Sequence, residues 1–263
     1  MSALLLPSLS RGQDGSAARV AHDSLSTISA SEARIIPPPP NYKFPDGQTF
    51  VFSAEWHFFN AGSARVTLDV VDGQQHVTAV AASAGVVNTL YKVHDNFEAL
   101  FAPHTFCSVQ VNKHTEEGSH SRQTEVHFDY LRRKSVLDEK NLKTGELKHA
   151  ENDIPECVTD MISGFYYLAS LSLQPGGVNS FQINDGGKTT EVIVHVEGRE
   201  QVKVPAGIFQ TVRVRAEPVS GALKGKGTIW AWYTDDANHT PVQMRSKLGF
   251  GTLLFRLQQV EKQ

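Results

Sequence analysis

The chain has 263 residues, 40% of them apolar and 20% charged, with 25 Lys and Arg against 28 Asp and Glu and a formal net charge of -3. This is enough apolar material for a real core, and it excludes a collagenous, wholly disordered or disulfide-stapled mini-domain chain. It also argues against a general nucleic-acid binder, which needs a basic excess to neutralise phosphates.

Residues 1–41 carry Ser, Ala and Arg without periodicity and end in Pro37-Pro38-Pro39-Pro40. Four prolines cannot join a helix or a sheet ladder and favour an extended spacer. The expectation is a disordered tail over 1–41 followed by a single β-rich domain over 42–263. The opening Met1-Ser2-Ala3-Leu4-Leu5-Leu6 has the apolar character of a signal-peptide core. It lacks a basic leading region, and its apolar run falls short of the ~7–15 residues usual there. A secretory signal missing its front and a featureless apolar start both fit. No segment reaches the roughly 20 apolar residues of a membrane-spanning helix.

From Gln48 onward the dominant period is two. Phe50, Phe52, Ala54, Trp56 and Phe58 alternate with polar residues, then Ala64, Val66, Leu68 and Val70 repeat the pattern. Such alternation marks half-buried strands, and Asp72-Gly73 between two of them is a strong hairpin turn. Further strands are expected at 76–83, 93–101, 106–111, 124–130, 133–137 and 146–149.

The period then changes once. Val158, Met161, Ile162, Phe165, Leu168 and Ala169 are spaced by three and four, which predicts a single amphipathic helix of about four turns, closed by Pro175-Gly176-Gly177. Strands resume at 181–183, 190–196, 201–204, 209–216, 227–234, 241–247 and 252–260. About a dozen strands with short turns and one helix predict a mainly β fold. Its expected form is a large curved antiparallel sheet, an incomplete barrel, wrapped around that helix.

The chemical motifs are few. Asp185-Gly186-Gly187-Lys188-Thr189 resembles the end of a phosphate loop, but Gln182 stands where the first glycine is needed and a strand follows instead of a helix. Among 11 histidines, His104, His114, His120 and His127 are the densest group, yet none has ligand spacing, so no metal or other cofactor is expected. Neighbouring Asp235 and Asp236 point in different directions on a strand end, which suits a turn better than paired acid and base. No nucleophile elbow occurs. Asp160 is the one acid on the otherwise apolar helix; it fits a helix-start residue favoured by the dipole, or a polar anchor at a cavity mouth. The two cysteines, Cys107 and Cys157, exclude a four-thiolate zinc site. They permit one disulfide, and two unrelated buried thiols fit equally well.

The aromatics remain. Trp56, Phe58, Phe97, Phe101, Phe165, Tyr166, Trp230 and Trp232 lie on strands and on the helix that should face one another. Either they form a packed core, or a widely curved sheet leaves an apolar pocket that they line.

The segments Asn60-Ala61-Gly62, Asp160-Met161-Ile162-Ser163-Gly164-Phe165-Tyr166-Tyr167-Leu168, Val204-Pro205-Ala206-Gly207-Ile208-Phe209 and Trp230-Ala231-Trp232-Tyr233-Thr234-Asp235-Asp236 together resemble the bacterial exported family known as domain of unknown function 3108, over about residues 48 to 260. The fold of that family is similar to the lipoprotein-carrier proteins, in which an incomplete barrel covers a helix and encloses an apolar cavity. The resemblance implies a periplasmic or otherwise exported protein that binds a lipid or acyl ligand, and it supplies no catalytic residue. The incomplete signal segment departs from the family pattern.

The leading expectation is therefore a non-enzymatic exported protein with an apolar ligand between sheet and helix. A solid-cored structural module that docks a cell-envelope protein partner is the alternative. A hydrolase using Asp160, Asp235 or Asp236 is the third reading.

Overall fold

In the computed structural model every segment with a period of two is a strand. The structure describes residues 33–57, 59–220, 224–225, 227–248 and 251–262. The tail and signal-segment expectations for residues 1–32, and Phe58, lie outside these.

The strands are β1 (Gln48–Trp56), β2 (Phe59–Val71), β3 (Gln74–Ser83), β4 (Val93–Phe101), β5 (Ser108–Glu117), β6 (His120–Asp129), β7 (Lys134–Asn141), β8 (Leu147–Asp153), β9 (Val178–Ile183), β10 (Thr190–Val204), β11 (Gly207–Pro218), β12 (Thr228–Thr234), β13 (Pro241–Leu248) and β14 (Gly251–Lys262). Two helices accompany them, α1 (Gly85–Leu90) and α2 (Ser163–Ser170).

All fourteen strands form one antiparallel sheet in the order β8-β7-β6-β5-β4-β3-β2-β1-β14-β13-β12-β11-β10-β9. Two meanders, β1 to β8 and β9 to β14, meet where the first strand pairs with the last, Gln48 opposite Lys262. The outermost strands, β8 and β9, are not paired with each other. The segment between them must therefore cross a face of the sheet, and α2 lies on that crossing. Its Tyr166, Tyr167, Leu168 and Ala169 share one core cluster with residues of β1 to β4 and of β9 to β14. A second cluster, containing Val111, Val126, Leu137 and Val158, lies under β5 to β7.

The helix is shorter than its apolar spacing predicts, and the backbone explains why. Thr159 N–H donates to Gln182 O at 3.1 Å and Asn184 N–H to Thr159 O at 2.9 Å, a parallel bridge to the edge of β9. Val158 O accepts Ser108 N–H at 2.9 Å. Residues 158–159 thus spend their hydrogen bonds on the sheet, and the helix starts only after Asp160. The unforeseen α1 is six residues long with none buried, so no apolar stripe announces it. The expected strands at 190–196 and 201–204 are the single strand β10, which carries a bulge between Val196 and Gly198.

The residues just before the proline run are tied to the body of the fold. Arg34 N–H donates to Ser180 O of β9 at 3.2 Å, Ile36 N–H to the Tyr167 hydroxyl at 3.1 Å, and Ile35 is buried in the main core. The segment 33–45 straps across the sheet face before β1 begins. No helix among the described residues is long and apolar enough to cross a membrane.

Candidate functional site

Register dictates where space is left between the sheet and α2. Phe50 pairs with Val66 and Phe52 with Ala64. Val66 and Ala64 in turn face Ala79 and Ala81, and Ala79 faces Phe97. Three alanines thus stand between phenylalanines on neighbouring strands. Small side chains there cannot reach α2, and a cavity of about 650 Å³ remains. Ile162, Phe165, Tyr166 and Ala169 of α2 form its opposite wall, and Tyr42, Phe44 and Pro45 of the N-terminal strap close one side.

Two of its polar side chains are held from the protein side. The Tyr233 hydroxyl donates to Phe165 O at 3.0 Å, and His239 Nδ1 lies 2.8 Å from Ala169 O, the geometry of a ring N–H donated to that carbonyl. The Tyr166 hydroxyl is buried and has no hydrogen-bond partner among the described residues. Burial first, then the proximity of Tyr42 and Asp69, holds its pKa well above the ordinary phenol value, so it is a neutral donor throughout the physiological range. An unpaired buried hydroxyl costs about 1–3 kcal/mol unless something accepts from it.

The structure brings Phe97, Phe165 and Tyr166 of the expected aromatics to this cavity. Phe101 is fully buried below it, stacked on Phe106 with ring centroids 5.3 Å apart. Trp56 is not part of the lining; its ring packs against His57 with centroids 5.0 Å apart. Trp230 and Trp232 lie on the reverse face. Their neighbours on β12, Ala231 and Tyr233, point to the core, whereas Arg245 sits 4.4 Å and 5.7 Å from the two indole rings, and Trp232 Nε1 donates to Glu200 at 2.8 Å.

Asp160 is not at the cavity mouth. It is 1% exposed. Its Oδ2 accepts from the Ser108 hydroxyl, and its Oδ1 from the N–H groups of Ile162 and Ser163, at 2.6, 2.9 and 2.9 Å. That is helix capping, the structural role its position suggested. Desolvation, then the charge of Asp185, pushes its carboxyl above the usual range, opposed by the hydrogen bonds from Ser108 and Ser163. Asp235 pairs with Arg199 at 2.7 Å, and Asp236 holds its own turn through Thr234 and Asn238. Cys107 and Cys157 are joined in a disulfide. Asp185 to Thr189 runs into β10, and no helix follows it.

Phe50 and Phe52, on the same alternating face of β1 as Trp56, line the cavity in addition to the expected aromatics. The strap residues Tyr42 and Phe44 carried no sequence signal, because nothing local shows an irregular segment folding back over the sheet. The alanines of β2 and β3 were legible only as strand; that they face each other needs the register.

The family model described as protein of unknown function (DUF3108) matches residues 51–258. Among solved structures the chain is similar to the β-barrel-like protein of domain of unknown function DUF1849 from Brucella abortus. That likeness has a TM-score of 0.58 at 8% identity and covers 88% of this chain and 99% of that one, so it shows the fold alone. It is also similar, more distantly, to a protein from Bacteroides fragilis described as exported with a YmcC-like fold (TM-score 0.32, 11% identity, 88% of this chain and 100% of that one). A protein from Parabacteroides distasonis described as a lipoprotein stands at TM-score 0.33 and 11% identity, over 87% and 99%. No curated protein matches the chain in sequence.

Proposed function

The chain belongs to the DUF3108 family of proteins of unknown function, and on that premise we propose that it is a non-enzymatic exported protein holding one apolar ligand, a lipid or acyl chain, between sheet and helix. On this reading the sheet is an incomplete barrel around α2. One observation carries it. The interior retains about 650 Å³ between aromatic walls, within the range of roughly 300–1,000 Å³ that ligand pockets occupy and well beyond the small voids of a packed core. The Cys107–Cys157 disulfide supports an oxidising compartment. The carboxylates of Asp160, Asp235 and Asp236 are each engaged in capping, an ion pair or a turn, which favours a binding role over hydrolysis.

The test is organic extraction of protein purified from its native host, followed by mass spectrometry. A single co-purifying lipid class near one per chain is expected, and it should disappear from an Ala64→Phe variant. Repeated recovery of empty protein that also takes up no fluorescent fatty-acid analogue would sink the reading.

One observation favours the alternative, an envelope module that docks a protein partner. The edge of β9 is covered by Arg34 and Thr159, whereas β8 is an outer strand with Leu147 75% exposed. An uncovered edge is a template for strand addition. A cross-linking pull-down that recovers one stoichiometric envelope protein, lost when Leu147 is changed to Lys, supports that reading.

A further inference from the structure

A second apolar space lies on the other side of α2. It holds about 80 Å³ between Met161, Gly164 and Leu168 on the helix side and Phe181, Val214 and Ala231 on the sheet, and every residue lining it is apolar. One water needs roughly 10–15 Å³ and two to four polar partners, so the room is there but nothing for water to bond to. Along β11 the chamber runs from Val214 to Pro218, roughly 13 Å at about 3.3 Å per residue.

The register sets this chamber against the main cavity. Ala231 of β12, which lines the chamber, pairs with Met244 of β13, which lines the cavity. The two spaces thus abut on neighbouring strands of one sheet face. On the helix side Ile162, Tyr166 and Ala169 face the cavity, and Gly164 and Leu168 the chamber, at spacings of three and four. Among the described residues Phe165 alone lines both.

Phe165 has a pinned backbone and an unpinned ring. Its N–H donates to Ile162 O at 3.1 Å, and its carbonyl accepts the Tyr233 hydroxyl at 3.0 Å. It is the one residue of α2 that is not buried. Tyr42, Phe44, Phe101, Phe106, Tyr167 and Phe181 form a continuous run of ring-on-ring contacts, and the Phe165 ring takes no part in it. A helical phenylalanine has two common χ1 wells, so its ring can swing between them while the helix stays still.

Taking the cavity as the binding site proposed above, we infer that Phe165 is the specificity-determining partition of that site, and that the ligand's chain continues past its ring into the chamber under β9 to β12. The ligand class is then a long-chain acyl group, one whose far end outruns the main cavity. Each methylene that leaves water is worth roughly fourfold in affinity, so the chamber rewards added length and is indifferent to the head.

Competition of decanoate, dodecanoate, tetradecanoate and hexadecanoate against a bound fluorescent fatty-acid analogue varies the chain and keeps the head constant. Native protein should bind each longer chain more tightly. Ala231→Leu fills the chamber and should weaken hexadecanoate at least roughly tenfold, the worth of about two methylenes, with decanoate unchanged. Gly164→Ala is the milder block, because its new methyl would sit 3.6 Å from both Phe181 and Thr159, an ordinary contact. It should weaken hexadecanoate by roughly fourfold, the worth of about one methylene, and it carries the comparison should Ala231→Leu fail to fold. Phe165→Ala removes the partition and should tighten hexadecanoate relative to decanoate. Chamber variants that weaken both chains by one factor, or neither, overturn the inference and leave the cavity reading standing, as does an unchanged ratio in Phe165→Ala. Native protein that binds neither the analogue nor any of the four chains overturns both.

Discussion

Ser108 and Asp160 hold each other twice: the Ser108 hydroxyl donates to Asp160 Oδ2 at 2.6 Å, and the Asp160 N–H donates back to the Ser108 oxygen at 2.7 Å. With Asp160 Oδ1 also accepting from Ile162 and Ser163, this pair fixes the start of α2 to β5, and so fixes one wall of the cavity. Asp160→Ala strands two helix N–H groups and the Ser108 hydroxyl in the core. It should cost about 2–4 kcal/mol, the sum of a lost cap and buried unpaired donors. Asp160→Asn keeps an acceptor for the helix and should cost clearly less. Denaturant unfolding compares them, and equal losses would show that capping is not what Asp160 supplies.

The disulfide anchors the same junction. Cys107 directly precedes Ser108, and Cys157 lies three residues before Asp160. Cross-linking residues 50 apart restricts the unfolded chain, and its loss should cost about 2–4 kcal/mol. Because the bond and the Ser108–Asp160 pair secure one contact, the triple variant Cys107→Ser, Cys157→Ser, Asp160→Ala should lose less stability than the disulfide-free variant and Asp160→Ala lose separately, added together. Strict additivity in unfolding free energies would count against a shared role.

Strands and the order of elements were readable because a period of two survives burial on one face, as in Phe50, Phe52 and Ala54. The exact helix was not. Val158 belongs to the apolar spacing but to the sheet's hydrogen bonds, and side-chain periodicity says nothing about where a backbone carbonyl goes. The cavity was half legible. Phe165, Tyr166 and Phe97 could be named from type and position, whereas Trp230 and Trp232 were assigned to the wrong face. On a strand covered on both sides, both alternating sets are large and partly buried, so residue size cannot tell inside from outside. The strap of Tyr42 and Phe44 and the facing alanines follow from pairings between distant parts of the chain.

Asp95 makes stability depend on pH. It is 6% exposed on β4, accepts Glu116 N–H at 3.0 Å, and is raised from an ordinary 3.8 to about 6. Desolvation is the main cause and the Glu117 charge the next, opposed by that backbone bond and by His94. The folded state holds the proton more tightly than the unfolded one. Its contribution is therefore complete below about pH 4 and is lost as pH rises through about 6. Asp95→Asn cannot ionise, so its stability relative to the native protein should improve between pH 4 and 7, by up to about 3 kcal/mol for a shift of this size. A difference that stays flat across that window contradicts the assignment.

Ala81 and Ala99 are both small residues on adjacent central strands, but only Ala81 faces open space. It lines the cavity, whereas Ala99 is 1% exposed within the second core cluster. Ala81→Leu should therefore be neutral or stabilising, by about 0.5–2 kcal/mol, because added methyl groups gain contacts without displacing neighbours. Ala99→Leu should cost about 1–3 kcal/mol through overpacking. The same Ala81→Leu protein should hold a bulky apolar ligand less well, since stability is gained in the space the ligand needs. Denaturant unfolding of the two variants, with dodecanoate titration of Ala81→Leu, reads both effects. Similar destabilisation by the two leucines would mean that the interior around Ala81 is filled, and the binding reading would lose its main support.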